Sequence, residues 1–283
     1  MAAGTPAHRW PANPAVPDND SILGTTMEDL TPEAIQKDLG TEFLGQHVVC
    51  YGRVDSTNAV SKKLAGEGAP EGTLVVAEEQ TAGRGRRGRR WLAPAGSSLL
   101  VSFILRPSLA SEGLSLLLMA SALAVARAIE ESTGLAVHFK WPNDIMLRDK
   151  KAGGILIETG LSGQDVDYAV IGIGLNVNLD VARIPEITAT ATSISAALGE
   201  KTSRLRILRS LLKSMEKEYL LLLKGHSPVA RWAARLSQLG QQVQVDTPWG
   251  RETGKLEGVD ADGTLILRRS DETEARITVG DVT

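Results

Sequence analysis

The sequence predicts an α+β protein in which a mixed β-sheet carries packed helices and a small all-β unit follows. Two patterns lead to this reading. From Gly45 to about Leu236, short β-rich runs alternate with helical segments, and after Gly240 only short strands set apart by turn residues remain. The length, 283 residues, allows one or two domains and suffices to bury a core without disulfides or metals. The resulting division is a proline-rich lead-in at 1–26, a short helical segment at 27–45, a main domain at 46–236 and a small barrel at 237–283.

Each element has a local reason. Residues 1–26 hold four of the twelve prolines (Pro6, Pro11, Pro14, Pro17) among Ala, Asn and Asp, so this stretch is expected to be disordered. Met27, also a candidate biological start, opens a segment to Gly40 that reads as one helix, with Thr31 as N-cap, Pro32 first and Gly40 as the stop. Strands are expected at Val48–Tyr51, Leu74–Ala77, Leu99–Leu105, Val137–Phe139, Ile155–Ile157 and Tyr168–Leu175. Helices are expected at Ser56–Ala65, Leu114–Ser132, Leu205–Lys224 and Pro228–Leu239; the second is apolar nearly all round and should be buried. In the last unit Val243–Asp246, Gly254–Val259, Thr264–Leu267 and Glu274–Thr278 read as strands, with Asp262-Gly263 as a turn.

Composition narrows the function. With 31 Lys+Arg against 34 Asp+Glu the formal net charge is −3, so bulk charge does not drive nucleic-acid binding and any anion site has to be local. One cysteine, Cys50, excludes an intramolecular disulfide and any multi-cysteine metal cluster, and within His47–Tyr51 it reads as a small hydrophobe. The four histidines, at 8, 47, 138 and 226, form no ligand-like pair. The apolar stretches Leu114–Ile129 and Leu220–Leu223 fall short of the ~20 unbroken residues a bilayer span needs. No signal-peptide pattern opens the chain, which reads as soluble and cytoplasmic.

Five strings carry candidate chemistry. Gln80-Thr-Ala-Gly83-Arg84-Gly85-Arg86-Arg87-Gly88-Arg89-Arg90-Trp91 packs five arginines into seven residues directly after a strand. Guanidiniums bind phosphate and carboxylate through forked hydrogen bonds, and glycine lets backbone N–H groups approach an anion. Such a loop repels itself and is expected to stay mobile until an anionic ligand neutralises it; a solvated basic run or an RNA-contact patch fits the same residues. Lys140-Trp-Pro-Asn-Asp144 sets a carboxylate near a lysine at a strand end, either a plain Asx turn or an acceptor for a substrate proton. Lys150-Lys151-Ala-Gly-Gly154-Ile-Leu-Ile-Glu158 lets backbone run close to a small molecule at Gly153-Gly154, though from these residues alone a hairpin with exposed lysines is the better-supported reading. Ile171-Gly-Ile-Gly-Leu-Asn176-Val-Asn178 lacks the third glycine and following helix of a dinucleotide fingerprint; its two asparagines point to a ligand or a capped strand end. Asp55-Ser-Thr-Asn58 opens a helix, with Ser56 or Thr57 as N-cap or as contacts to a polar head group.

In this order, the strings GRGRRGRRW, KWPND, K-x-G-G-I-L-x-E and GIGxNVN resemble the biotin protein ligases (biotin–carboxyl-carrier ligases, holocarboxylase synthetases), over about residues 28–283. The resemblance implies a mixed-sheet catalytic domain of the biotin/lipoate ligase, class II synthetase-like type, followed by an SH3-like barrel. It implies biotin and ATP as substrates, with Mg2+ held by ATP phosphates and water and no protein metal ligand. It implies biotin contacts at Ser56, Thr57, Asn58, Gln80, Gly83, Arg84, Gly85, Arg86, Lys151 and Gly154, where a side chain at 154 would clash. ATP contacts are implied at Arg86, Arg89, Lys151, Trp91 and Asn176, the last two flanking adenine. Arg86 and Lys151 would clamp the reacting anions, and Asp144 would orient or deprotonate an acceptor lysine.

The implied partner is a biotin carboxyl carrier domain, with no specific DNA and no membrane, and a homodimer is left open. The first 45 residues are too short and too proline-rich for the operator-binding winged helix of the family's repressor branch, so a ligase without transcriptional control is expected. Two other readings are a lipoate or octanoate ligase of the same superfamily and, from a different class, a nucleic-acid-binding module built on the arginine loop.

Overall fold

The protein is described by a computed structural model over residues 30–107, 113–162 and 165–283. The proline-rich lead-in and the first residues of the expected N-terminal helix lie outside the described residues. Helix α1 (Pro32–Gln36) starts as its sequence predicts: Thr31 Oγ1 accepts the Ala34 N–H at 3.2 Å and proline takes the first turn. It ends before Gly40, because Asp38 already takes a left-handed φ of 52°.

Seven strands form the main sheet. They are β1 (Val48–Val54), β2 (Leu74–Gln80), β3 (Ser98–Leu105), β4 (His138–Lys140), β5 (Asp144–Leu147), β6 (Lys150–Ser162) and β7 (Asp165–Asn176), in spatial order β1-β2-β3-β7-β6-β5-β4. β1 and β2 run parallel, joined by α2 (Thr57–Gly66); the other neighbours are antiparallel. The sheet is therefore mixed, as expected.

Strand parity divides the two faces. Leu99, Val101, Phe103 and Leu105 of β3 and Ile171, Ile173 and Leu175 of β7 join the core formed with α3 (Leu114–Thr133) and α5 (Arg204–Leu223). On the opposite face Val49, Val75 and Ile104 pack against Leu64, Ala65 and Ala69 of α2 and the loop after it. Further along that face β7 carries Gly172, Gly174 and Asn176, and the neighbouring stretch of β6 carries Gly154 and Leu156. Small residues there leave a hollow in the sheet surface.

Helix α3 is buried on nearly every side, as its composition predicts. The five-residue helix α4 (Ile194–Leu198), capped by Ser193, is too short to show periodicity in sequence. Helix α6 (Val229–Ala233) is shorter than the expected Pro228–Leu239. Beyond it the chain partners the edge of β4, the Phe139 N–H donating to Arg235 O at 2.8 Å and the Ser237 N–H to Phe139 O at 2.9 Å.

A second, antiparallel sheet follows: β8 (Gln242–Thr247), β9 (Gly250–Val259), β10 (Leu265–Arg268), β11 (Glu274–Ile277) and β12 (Asp281–Val282), in order β11-β10-β9-β8-β12. Its apolar residues, among them Val243, Val245, Leu265 and Leu267, are continuous with the main core. Trp141 fastens the two sheets: its indole N–H donates to Gly263 O at 3.2 Å, while its ring packs where a Cβ on Gly280 would come within 3.3 Å.

One buried carboxylate ties the N-terminal segment down. Glu216 of α5, 7% exposed, accepts the backbone N–H groups of Glu42, Phe43 and Leu44 at 2.8, 3.0 and 3.0 Å. Glu216→Gln should cost about 1.5–3 kcal/mol, the worth of a hydrogen bond to a charged group, read as a lower urea midpoint at unchanged m-value. An unchanged midpoint would show that these N–H groups find equivalent partners without it.

Candidate active site

The hollow on the α2 face is a cavity of about 240 Å³. One end is polar. Ser56 is the N-cap of α2, yet its side chain makes no capping bond; Gln80 does that work from β2, its Oε1 accepting the Thr57 N–H at 2.8 Å and lying 3.1 Å from the Thr57 hydroxyl. The Ser56 hydroxyl is thereby released from capping. Asn58 is held from both sides: Ser102 Oγ donates to its Oδ1 at 2.7 Å, and its Nδ2 donates to Glu158 Oε2 at 2.8 Å. Gly172 makes room for it, since a Cβ there would fall 2.0 Å from Asn58 Oδ1.

The arginine string closes over the cavity as a tight hairpin. Arg84 and Arg90 form an antiparallel bridge, the Gly85 N–H donates to Arg89 O at 2.7 Å and the Trp91 N–H to Gly83 O at 2.9 Å. Arg87 adopts a left-handed φ of 54° at the tip. The loop was expected to await an external anion; the structure supplies internal ones. Arg86, Arg87 and Arg89 meet the carboxylate of Asp281, and Arg84 meets Glu158 at 3.4 Å. Burial draws the Arg86 pKa below the ordinary guanidinium value, and the Asp281 carboxylate opposes that shift.

The third wall comes from the turn between β4 and β5 and from β6. Lys151 Nζ and Asp144 Oδ1 pair at 2.5 Å, so Lys151 is no freely solvated hairpin lysine. Asn143 fixes the turn by donating from Nδ2 to Ile155 O at 2.7 Å. Trp91 lies across Gly174, where a Cβ would sit 2.5 Å from the indole, and Lys151 Nζ is 5.8 Å from its ring centroid. Two buried polar atoms at this end have no hydrogen-bond partner among the described residues: Trp91 Nε1 and Asn176 Oδ1. A donor and an acceptor thus stand ready for a ligand.

Ser56, Thr57, Asn58, Gln80, Arg84, Gly85, Arg86, Arg89, Trp91, Asp144, Lys151, Gly154 and Asn176 all border the cavity. Gly83 does not. It lies behind Trp91, where a Cβ would come 2.8 Å from Trp91 O, so its glycine answers to loop packing. At Gly154 a Cβ would meet Lys151 and Trp91 at an ordinary 3.5 Å, whereas on β7 a Cβ at Gly172 or Gly174 would fall 2.0 Å from Asn58 or 2.5 Å from Trp91. Asn178 separates from Asn176: it caps the strand end through Thr202, donating at 2.9 Å and accepting at 3.0 Å. The Cys50 thiol is pushed up to about 12 by burial, which fits the small hydrophobe expected there.

Sequence reasoning missed the loop residues Ile187, Thr190 and Ala191, and it missed Asp281. The first three reach the cavity because the loop pairs with Lys151, whose N–H donates to Thr190 O at 2.9 Å. Neither group carries a local signal.

Residues 51–176 match the Biotin/lipoate A/B protein ligase family, and residues 239–283 match the Biotin protein ligase C terminal domain. The bifunctional ligase/repressor BirA of Bacillus subtilis is 38% identical over 245 residues, covering 86% of this chain and 75% of its own. The chain belongs to the biotin protein ligase family. A second relative in that family, the biotin–[acetyl-CoA-carboxylase] ligase of Paracoccus denitrificans, is 35% identical, with 76% of this chain and 92% of the relative covered. Among solved biotin protein ligases, that of Aquifex aeolicus in complex with biotin and ATP superposes with a TM-score of 0.72 at 32% identity, covering 84% of this chain and 97% of that one. The sheet-and-helix domain with its five-stranded C-terminal sheet is thus a biotin ligase fold.

Because Trp91 rests directly on Gly174, Gly174→Ala should expel the indole from the cavity. The thermal stabilisation given by ATP in the presence of biotin should then fall to that of biotin alone, with the far-ultraviolet spectrum unchanged. Full retention of the ATP increment would show that the indole has another place to go.

Proposed function

We propose that this protein joins biotin to a lysine of a biotin carboxyl carrier domain through biotinyl-5′-AMP. One observation carries the reading: Arg86 and Lys151 border the same cavity as the polar end of α2 and the unpartnered Trp91 Nε1 and Asn176 Oδ1. The first half-reaction brings together two anions, a carboxylate and a polyphosphate, and cations between them remove the repulsion that would otherwise keep them apart. The A. aeolicus relative was solved with biotin and ATP together.

In this reading Ser56, Thr57, Asn58 and Gln80 take the ureido ring, and Arg84, Gly85 and Gly154 surround the rest of biotin. Arg89 meets the ATP phosphates, with Mg2+ carried by those phosphates, and Trp91 and Asn176 flank the adenine. A biotin carboxylate oxygen bonds to the α-phosphorus as the bond to pyrophosphate breaks; Arg86 and Lys151 neutralise the charge that gathers there. The acceptor amine then bonds to the biotinyl carbonyl carbon, AMP departs with the electron pair, and Asp144 takes the proton. Asp144 is paired with Lys151 at 2.5 Å in the free protein. Once Lys151 turns to the acyl phosphate, Asp144 is released for the acceptor. Residues 46–236 carry both half-reactions, 237–283 form the flanking barrel, and the reaction belongs in the cytoplasm. Operator binding is not part of the proposal.

Labelled biotin should pass to a carrier domain only when ATP is present, with lipoate giving no transfer; transfer of lipoate and not biotin would overturn the assignment. Lys151→Ala should slow biotin-dependent pyrophosphate release by about 10²–10³-fold, the scale of a lost charge-stabilising donor, with the melting temperature unchanged. Wild-type release from that variant would remove Lys151 from the reaction. Arg86→Gly should let the adenylate escape, read as diffuse biotinylation of bystander proteins, whereas unchanged selectivity would count against loop closure.

A further inference from the structure

Asp281 belongs to none of the sequence strings, and no step of the proposed reaction uses it. Yet it stands where a phosphate site would least tolerate a carboxylate. Its Oδ1 is 3.2 Å from Arg86 Nη1, and its Oδ2 is 2.6 Å from Arg89 Nη2 and 3.4 Å from Arg87 Nη1. The side chain is 13% exposed and borders the cavity. Two carbonyls of the same sheet add to this hold: Gly280 O accepts from Arg86 Nη1 at 3.3 Å and Asp246 O from Arg87 Nη2 at 3.0 Å. Asp246 lies opposite Asp281 in the pairing of β8 with β12, so these acceptors form one compact patch.

Charge arithmetic explains the arrangement. Three guanidiniums on one carboxylate leave two positive charges uncompensated, enough to attract a polyphosphate. Each guanidinium has five N–H donors, and its contact with the patch uses at most two of them. The remaining donors stay free for a ligand while the carboxylate fixes where they point. Without it the arginines repel one another and the hairpin has little to hold its tip.

We propose that Asp281 is a positioning residue through which the C-terminal sheet holds Arg86 and Arg89 in the array that receives the ATP phosphates. This rests on the ligase reading above. A carboxylate that merely filled the site until phosphate displaced it would compete with ATP, and its removal would tighten ATP binding; the proposal requires the opposite sign.

The test uses the full chain with Asp281→Asn and Asp281→Glu. For Asp281→Asn the KM for ATP in biotin-dependent pyrophosphate release should rise about ten- to a hundredfold, the worth of one set of charge-assisted hydrogen bonds. The biotin Kd should stay within about twofold, kcat should change less than KM, and Asp281→Glu should restore most of the loss. Amide exchange across residues 84–90 of the ligand-free protein should quicken in Asp281→Asn alone. A KM for ATP that is unchanged or lowered, or a loop exchanging at the wild-type rate, overturns the proposal. Should Asp281→Asn fail to fold, Arg87→Gln removes one of the three loop contacts to Asp281, at a residue that does not border the cavity, and should raise the KM in the same direction. If the wild-type chain releases no pyrophosphate with biotin, the ligase reading is what fails; the ligand-free exchange measurement then still decides whether Asp281 orders the loop.

Discussion

Five guanidiniums within seven residues repel one another, and the fold around residues 84–90 is built on that repulsion. At 4 Å two like charges cost about 1 kcal/mol even in bulk water, and several times more near a protein surface. A tight hairpin such as the one bridged at Arg84 and Arg90 would not close over this charge without compensation. The compensation comes from far away in sequence: Asp281 from the second sheet and Glu158 from the first. Complete neutralisation would leave nothing to attract an anionic substrate, and none would leave no ordered loop. Two carboxylates against five arginines lie between these limits.

The cavity owes its shape to strand parity. Along β7 the alternate residues Ile171, Ile173 and Leu175 build the helix-backed core, while Gly172, Gly174 and Asn176 face the hollow. The glycines are needed for what lies on them. Gly172 makes space for Asn58, and Gly174 makes space for Trp91. A shift of one residue in register would exchange the two faces, burying Asn176 among the aliphatic side chains and emptying the core. The dense pairing of β7 with β3 and β6 guards against that slip.

What the sequence made legible was what is written in contiguous residues. The core helix α3, the strand β3 and the α2 N-terminus all follow from local pattern, and the four motif strings converge on one cavity because each sits at an element end that faces it. The rest depends on tertiary contact. By its own residues Lys151 read more readily as an exposed hairpin lysine, and only the register of β5 against β6 brings it onto Asp144. Gly172 and Gly174 make room for side chains that come from elsewhere in the chain, Asn58 and Trp91, which no local pattern announces. The expected helix to Leu239 stops at Ala233 because the edge of β4 recruits the chain that follows. β12 is two residues long, too short for any alternation to announce, so its carboxylate could not be connected to the loop in advance.

These contacts give the second sheet a part in the site that its small size conceals. Its core is continuous with that of the main sheet, and Trp141, next to the Asn143–Asp144 turn, is the residue that packs against Gly280 and bonds to Gly263. The same sheet therefore touches the site at two places, once through the Trp141 turn that carries Asp144 and once through Asp281 on the arginine loop. Asp144 belongs to the transfer step of the proposed reaction, and the arginines belong to activation. Displacing the second sheet would disturb both contacts at once, whereas a change in the loop alone would leave the Trp141 turn and Asp144 in place. That asymmetry follows from where the two contacts lie, and it explains why so short a sheet is packed against the main domain by a tryptophan instead of hanging from a flexible linker.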